Sequence, residues 1–148
     1  MAFFRVLTRI DAPPSRVWEL LEDWEGSAAW MVDATSVEVL DGPRRGVGAR
    51  IKAVTTIARV PLTDLMEVVG WDEGRSITVR HDGRPIRGIA WFELRPDHEG
   101  GTWFEWAEEL DPPLGPLGEF GGRILRRPIE RVLAKSAAKL KALAEAHQ

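Results

Sequence analysis

Cysteine and tyrosine are both missing from the 148 residues. Without cysteine there is no disulfide, no thiolate nucleophile and no Cys-ligated zinc or iron–sulfur centre. The same absence fits a reducing compartment. Without tyrosine there is no phenol to donate a proton inside a pocket. Histidine is scarce: His81, His98 and His147 are the three, and none forms an HxH or HxxxH pair, so no metal site is expected. No stretch approaches the ~18 apolar residues of a membrane helix. The opening MAFFRVLTRID carries two arginines and no apolar signal-peptide core. The expectation is a cytoplasmic protein with no stable membrane insertion.

Two motif classes are also lacking. The glycine-bearing stretch from Gly42 to Gly48 lacks a Gly-Lys-Ser/Thr ending and precedes a strand rather than a helix, which excludes a phosphate loop. No serine lies in a Gly-x-Ser-x-Gly elbow, so Ser-His-Asp hydrolysis has no support. No cofactor is called for.

What is present describes one globular domain spanning residues 1–148. Apolar residues make up 44% and charged residues 29%, too apolar for disorder and too charged for a membrane protein. Twenty basic and 23 acidic side chains leave a net charge of −3, a poor basis for binding nucleic acid. The aromatic set is lopsided, with seven Trp and five Phe.

Residues 3–10 alternate as a strand, with Arg5 and Arg9 on one face and Phe4, Val6, Thr8 and Ile10 on the other. Pro13 and Pro14 then suit a helix start, with Asp11 or Ser15 as cap. Val17, Trp18, Leu20, Leu21 and Trp24 recur at helical spacing, and a short helix or turn around Ser27–Met31 carries Trp30. Six strands follow at Val37–Leu40, Ala49–Ile57, Leu65–Gly70, Ile77–His81, Ile86–Leu94 and Thr102–Leu110. Turn residues separate them, among them Val60-Pro61 and Asp82-Gly83-Arg84-Pro85. Short spacers imply an antiparallel meander. Leu125, Ile129, Val132, Leu133, Ser136, Leu140 and Leu143 form the stripe of a long C-terminal helix, with a break or kink expected near Gly121-Gly122 and Pro128. The order is β-α-α-β-β-β-β-β-β-α, an α+β chain whose long helix must bury its stripe on one face of a curved sheet.

Several strings resemble the helix-grip (START-like, SRPBCC) superfamily. They are Ile10-Asp11-Ala12-Pro13-Pro14 with Val17-Trp18-Glu19-Leu20-Leu21 and Asp23, then Trp30, Gly46-Val47-Gly48, Gly101-Thr102 and Leu140-Lys141-Ala142-Leu143 with Glu145. The likeness spans the whole chain and is nearest to the bacterial polyketide cyclase/dehydrase-like branch. It implies a seven-stranded antiparallel sheet wrapped around the C-terminal helix, with a cavity between them for a hydrophobic small molecule. A minority of such proteins do chemistry in the cavity. Fold does not settle function, so the site is read from residues.

The last hairpin is the most legible part. Glu93, Glu105 and Glu109 should face water, which turns Gly88, Ala90, Phe92 and Leu94 inward on one strand and Phe104, Trp106, Glu108 and Leu110 on the other. That parity sets Phe92 opposite Trp106 and Ala90 opposite Glu108. Glu108 reads either as a cavity carboxyl with a raised pKa, able to anchor a ligand or move protons, or as a glutamate paired with an arginine or reaching the cavity mouth. His81 reads either as a rim histidine paired with Glu108 in acid–base chemistry, or as a surface residue beside a turn.

Trp30 and Met31 stand where such folds have the cavity entrance, or else pack the short helices onto the sheet. Thr55, Ile57, Met66, Val68, Val79, Ala90, Phe92 and Trp106 complete the expected lining, with Phe120 and Ile124 from the helix. Asp64 reads as a solvated turn residue, or as a second cavity polar group if Met66 and Val68 face inward. The arginines and lysines of the C-terminal helix read as a solvated face, or as a contact for an anionic head group or membrane surface. Trp91 and Trp103 point outward and would need a cover, such as a homodimer interface, if exposed and contiguous. A carrier of a lipid, polyketide or isoprenoid is favoured over a polyketide aromatase/cyclase or dehydratase using Glu108 and His81, because the lining is mostly apolar.

Overall fold

A computed structural model describes residues 2–57, 59–83, 86–111 and 115–146, with side chains for all of these except residue 57 and residues 115–125. Strand β1 (Ala2–Ile10) leads into α1 (Pro14–Glu22) and a 3-10 turn (Glu25–Ala29). Then come β2 (Ala34–Val39), β3 (Arg50–Ile57), β4 (Val60–Asp72), β5 (Ser76–Asp82), β6 (Arg87–Pro96) and β7 (Thr102–Leu110), and the chain ends in α2 (Gly115–Ala146). The strands form one sheet in the order β1-β7-β6-β5-β4-β3-β2. Every pairing is antiparallel. This is the curved seven-stranded helix-grip architecture.

Parity fixes the inner face. Phe92 pairs with Trp106 and Ala90 with Glu108, the register that the three water-facing glutamates require. Phe4, Ile51, Val68, Ile77, Phe92, Phe104 and Trp106 are buried together with Leu133, Leu140 and Ala144 of α2 in one core.

Three local expectations give way to tertiary structure. Residues 115–146 form a single helix with Pro128 inside it, so of the break or kink expected the break does not occur. Pro in a helix interior costs about 3 kcal/mol and Gly about 1 kcal/mol. Burial of Leu133, Ser136, Ala137, Leu140 and Ala144 along the following turns offsets such local costs. Val60 and Pro61 belong to β4 rather than to a turn. Thr56, opposite Pro61, sends its N–H to Asp33 on the far side, so this pair makes no ladder bond that proline could break. Neither Asp11 nor Ser15 caps α1. Pro13 is the N-cap residue, without a side-chain bond. Asp11 instead gives its backbone N–H to Glu145 of α2, at 2.8 Å.

Gly88 is dictated by close approach of two strands. Its φ is +141°, and a Cβ there would lie 2.0 Å from the carbonyl oxygen of Glu109. Gly88→Ala is expected to cost about 2 kcal/mol in urea unfolding, since both backbones must move and the residue stays strained. A loss below a few tenths of that would refute the account.

Candidate functional site

The sheet brings ionisable groups from four segments to its inner face. His81 on β5 stands opposite Met66 of β4 and Gly88 of β6. Glu108 on β7 stands opposite Ala90 of β6 and Phe4 of β1. β6 therefore separates His81 from Glu108, across about 10 Å of sheet at ordinary strand spacing. Its inward residues there are Gly88 and Ala90, neither with a side chain larger than a methyl group.

One wall is aromatic. Trp30 is 1% exposed, and its ring centroid lies 5.9 Å from that of Phe92 and 5.8 Å from that of Trp106. Phe92 and Trp106 are themselves 5.4 Å apart, edge to face. Ser136 of α2 accepts the backbone N–H of Val32 at 3.1 Å. This bond ties the segment carrying Trp30 and Asp33 to the helix.

The other side is polar. Asp64 and His81 are both 6% exposed, and Nδ1 of His81 donates to Oδ1 of Asp64 at 2.8 Å. Burial pulls the imidazole down, but the Asp64 bond and charge, with Glu108 and Asp82 behind them, more than offset it. His81 therefore titrates above its ordinary value. Desolvation holds the Glu108 carboxyl above its usual range. The His81 charge opposes this, Asp64 and Asp33 add to it, and Nε1 of Trp106 donates to Oε1 at 3.1 Å. Asp33 is raised too, by burial and by the Asp64 charge. His81 and Glu108 act on each other, and the Asp64 charge acts on His81, Glu108 and Asp33.

Among the described residues, Nε2 of His81, Nε1 of Trp30 and Oγ1 of Thr55 are buried without a hydrogen-bond partner. Buried polar atoms are normally satisfied, and one left alone costs about 1–3 kcal/mol. Nε of Arg16 and Nε1 of Trp24 share this condition. No group of three or more candidate ligands able to hold a metal ion occurs among the described residues.

The structure sorts the remaining sequence expectations. Trp30 lies fully inside the core, and Met31 packs half-buried against it. His81 is interior, not a surface residue beside a turn, because Ile77, Val79 and His81 share the buried parity of β5. Asp64 is interior, not solvated, for the same reason on β4. Glu108 bonds to an indole, and its hydrogen bond involves no arginine. Met66, Val68, Val79, Ala90, Phe92 and Trp106 belong to the inner face or its packing. Ile57, Phe120 and Ile124 lie outside the described side chains.

Asp33 was not anticipated. It sits in a turn after Met31, where an aspartate ordinarily means solvent. The only available signal was its place directly after the Trp30 segment.

On the outer face, Trp103 is 41% exposed and Trp91 is half-buried against Phe3. They do not adjoin. Trp91 pairs with Ala107, and the row between it and Trp103 holds the Glu93–Glu105 pair. Arg5 bonds to Glu105 there at 3.1 Å. A charged row thus divides the patch expected of a dimer interface. A separate surface groove of about 330 Å³ lies between β1 and α2, lined by Arg5, Val6, Arg127, Glu130, Arg131 and Ala134. No helix among the described residues is long and apolar enough to cross a membrane.

A family described as "Polyketide cyclase / dehydrase and lipid transport" matches residues 1–145. Solved structures share the fold at low identity. The protein TTHA0849 from Thermus thermophilus superposes with a TM-score of 0.84 at 20% identity, over 98% of each chain. The Zhui aromatase/cyclase from a Streptomyces species gives 0.82 at 18% identity, over 97% of this chain and 93% of that one. A START superfamily protein from Mycobacterium smegmatis gives 0.79 at 13% identity, over 99% of both. No curated relative matches this chain.

Proposed function

The chain belongs to the polyketide cyclase/dehydrase and lipid-transport family, and from that premise we propose that it binds a hydrophobic small molecule of lipid, polyketide or isoprenoid type between its sheet and α2, as a carrier or sensor. The carrying observation is the set of buried polar atoms without partners, on His81, Trp30 and Thr55, together with the Trp30–Phe92–Trp106 wall. A dry aromatic surface supplies affinity and a few polar anchors fix orientation. Trp30, Met31, Thr55, Met66, Val68, Val79, Ala90, Phe92, Trp106 and Glu108 are the described residues that would line the site. The absence of cysteine fits work in the cytoplasm.

Native mass spectrometry of the purified protein should show a co-purified hydrophobe. Titration of the emptied protein with a panel of lipids and polyketides should change its tryptophan emission, because two indoles stand in the wall. Empty spectra together with no response across the panel would overturn the reading.

A second reading is favoured by one observation. The 2.8 Å Asp64–His81 bond orients an imidazole whose Nε2 has no partner, the arrangement of a general acid–base held by a carboxylate. On this reading the protein is a polyketide aromatase/cyclase or dehydratase in which His81 shuttles a proton and Glu108 accepts or returns it. Turnover of a poly-keto substrate, lost in His81→Gln while binding persists, would establish it over the carrier. A protein that binds such a substrate and releases it unchanged would exclude it.

A further inference from the structure

Resting on the reading of an interior hydrophobic site, we infer that this site selects by charge: it takes a hydrophobic molecule whose polar end is a neutral carbonyl acceptor and rejects one that ends in a carboxylate. Two kinds of observation converge on this. The first is the supply of donors. Trp30 Nε1 is an N–H that can only donate, and it has no partner among the described residues. Nε2 of His81 becomes a second donor whenever the imidazole is charged, and the neighbouring carboxyl groups favour that state. Thr55 Oγ1 can donate as well. What satisfies such a set is an oxygen with lone pairs.

The second observation excludes an anionic oxygen. The imidazole is already bonded to Asp64, and the Glu108 and Asp33 carboxyls both feel the Asp64 charge. Burial keeps Glu108 from ionising easily, and a further carboxylate would meet the same desolvation plus repulsion from its neighbours. Apart from the His81 imidazolium, whose charge is already balanced by its bond to Asp64, no described cation of the sheet can offset this. The described arginines and lysines of the strands, Arg5, Arg9, Arg50, Lys52, Arg80, Arg87 and Arg95, alternate with the buried positions and occupy the opposite face. On α2, Arg126, Arg127, Arg131, Lys135 and Lys139 are exposed, Lys141 pairs with Glu145, and the side chain of Arg123 lies outside those described. A site built for a fatty-acid head group would bring a guanidinium or ammonium inward, because an unpaired buried carboxylate is strongly disfavoured. A ketone or ester needs only the donors that are there.

The test compares two ligands of equal carbon number, methyl decyl ketone and dodecanoate, by tryptophan emission at neutral pH on the full chain. The ketone is expected to bind at least about tenfold more tightly. In Glu108→Gln, which removes one carboxyl without changing shape, the ketone-to-dodecanoate ratio should narrow severalfold because dodecanoate gains. Dodecanoate binding to the unaltered protein as tightly as the ketone, or more tightly, overturns the charge filter and leaves the hydrophobic site standing. Failure of both ligands to bind overturns the site itself, and the filter with it. The comparison on the unaltered chain decides the matter even if the variant does not fold.

Discussion

Asp64→Ala is expected to unfold in urea with about 3 kcal/mol less stability at about pH 5.5, and with a distinctly smaller loss at about pH 8.5. The removed carboxylate is the hydrogen-bond partner of a buried imidazole, and the imidazole is left with both nitrogens unpaired. The sign of the pH effect follows from linkage. His81 titrates above 6.5 in the folded protein, so the folded state binds its proton more tightly than the unfolded chain does. The stabilisation this brings is complete below pH 6.5. It is lost as pH rises through the folded value. Glu108 and Asp33, also raised, push in the same direction from lower pH, their unfolded values being 4.5 and 3.8. The unaltered protein should therefore lose stability as pH rises from 5.5 to 8.5, and the variant should lose less over the same interval. An NMR titration of the His81 ring should show its midpoint falling when Asp64 is removed. Equal losses at both pH values, with an unmoved His81 midpoint, would show that the pair is not coupled as the geometry requires.

The same region shows what a single sequence discloses. The β6–β7 hairpin was legible to the residue because Glu93, Glu105 and Glu109 label the wet face, and period-two alternation then places every neighbour. Alternation alone put Glu108, Phe92, Ala90 and Trp106 on one surface. β4 was less legible. A register shift between Val68 and Gly70 interrupts its alternation, and Pro61 imitates a turn. Asp64 consequently offered no sign of burial, since its partner lies on another strand, 17 residues away. Asp33 was illegible for a different reason: a turn aspartate is ordinarily solvated, and only the packing of the Trp30 segment between sheet and helix draws it inward. The continuous α2 repeats the lesson at the scale of an element. Gly121, Gly122 and Pro128 declare their local cost in the sequence, whereas the burial that outweighs it arises only once the sheet is in place.

Trp30 allows stability and binding to be separated. Trp30→Ala should cost about 3–5 kcal/mol, because it removes a large ring that is 1% exposed and leaves Phe92 and Trp106 facing a void. Trp30→Phe should behave differently. It keeps most of the ring contact while deleting an indole N–H that is buried without a partner. An orphaned buried donor carries a desolvation cost, and its removal returns that cost to the folded state. Packing lost and desolvation recovered then nearly cancel, so the ligand-free variant should melt within about 1 kcal/mol of the unaltered protein. Affinity has no such compensation. If the N–H receives a ligand oxygen, Trp30→Phe loses one hydrogen bond made only in the complex, and binding of a carbonyl ligand should weaken about fivefold to tenfold. Thermal melts with and without methyl decyl ketone measure both quantities on one sample. A variant equally stable when empty but less stabilised by ligand assigns the indole N–H to recognition. A variant as strongly stabilised by ligand as the parent assigns Trp30 to packing alone and leaves the anchoring to His81 and Thr55.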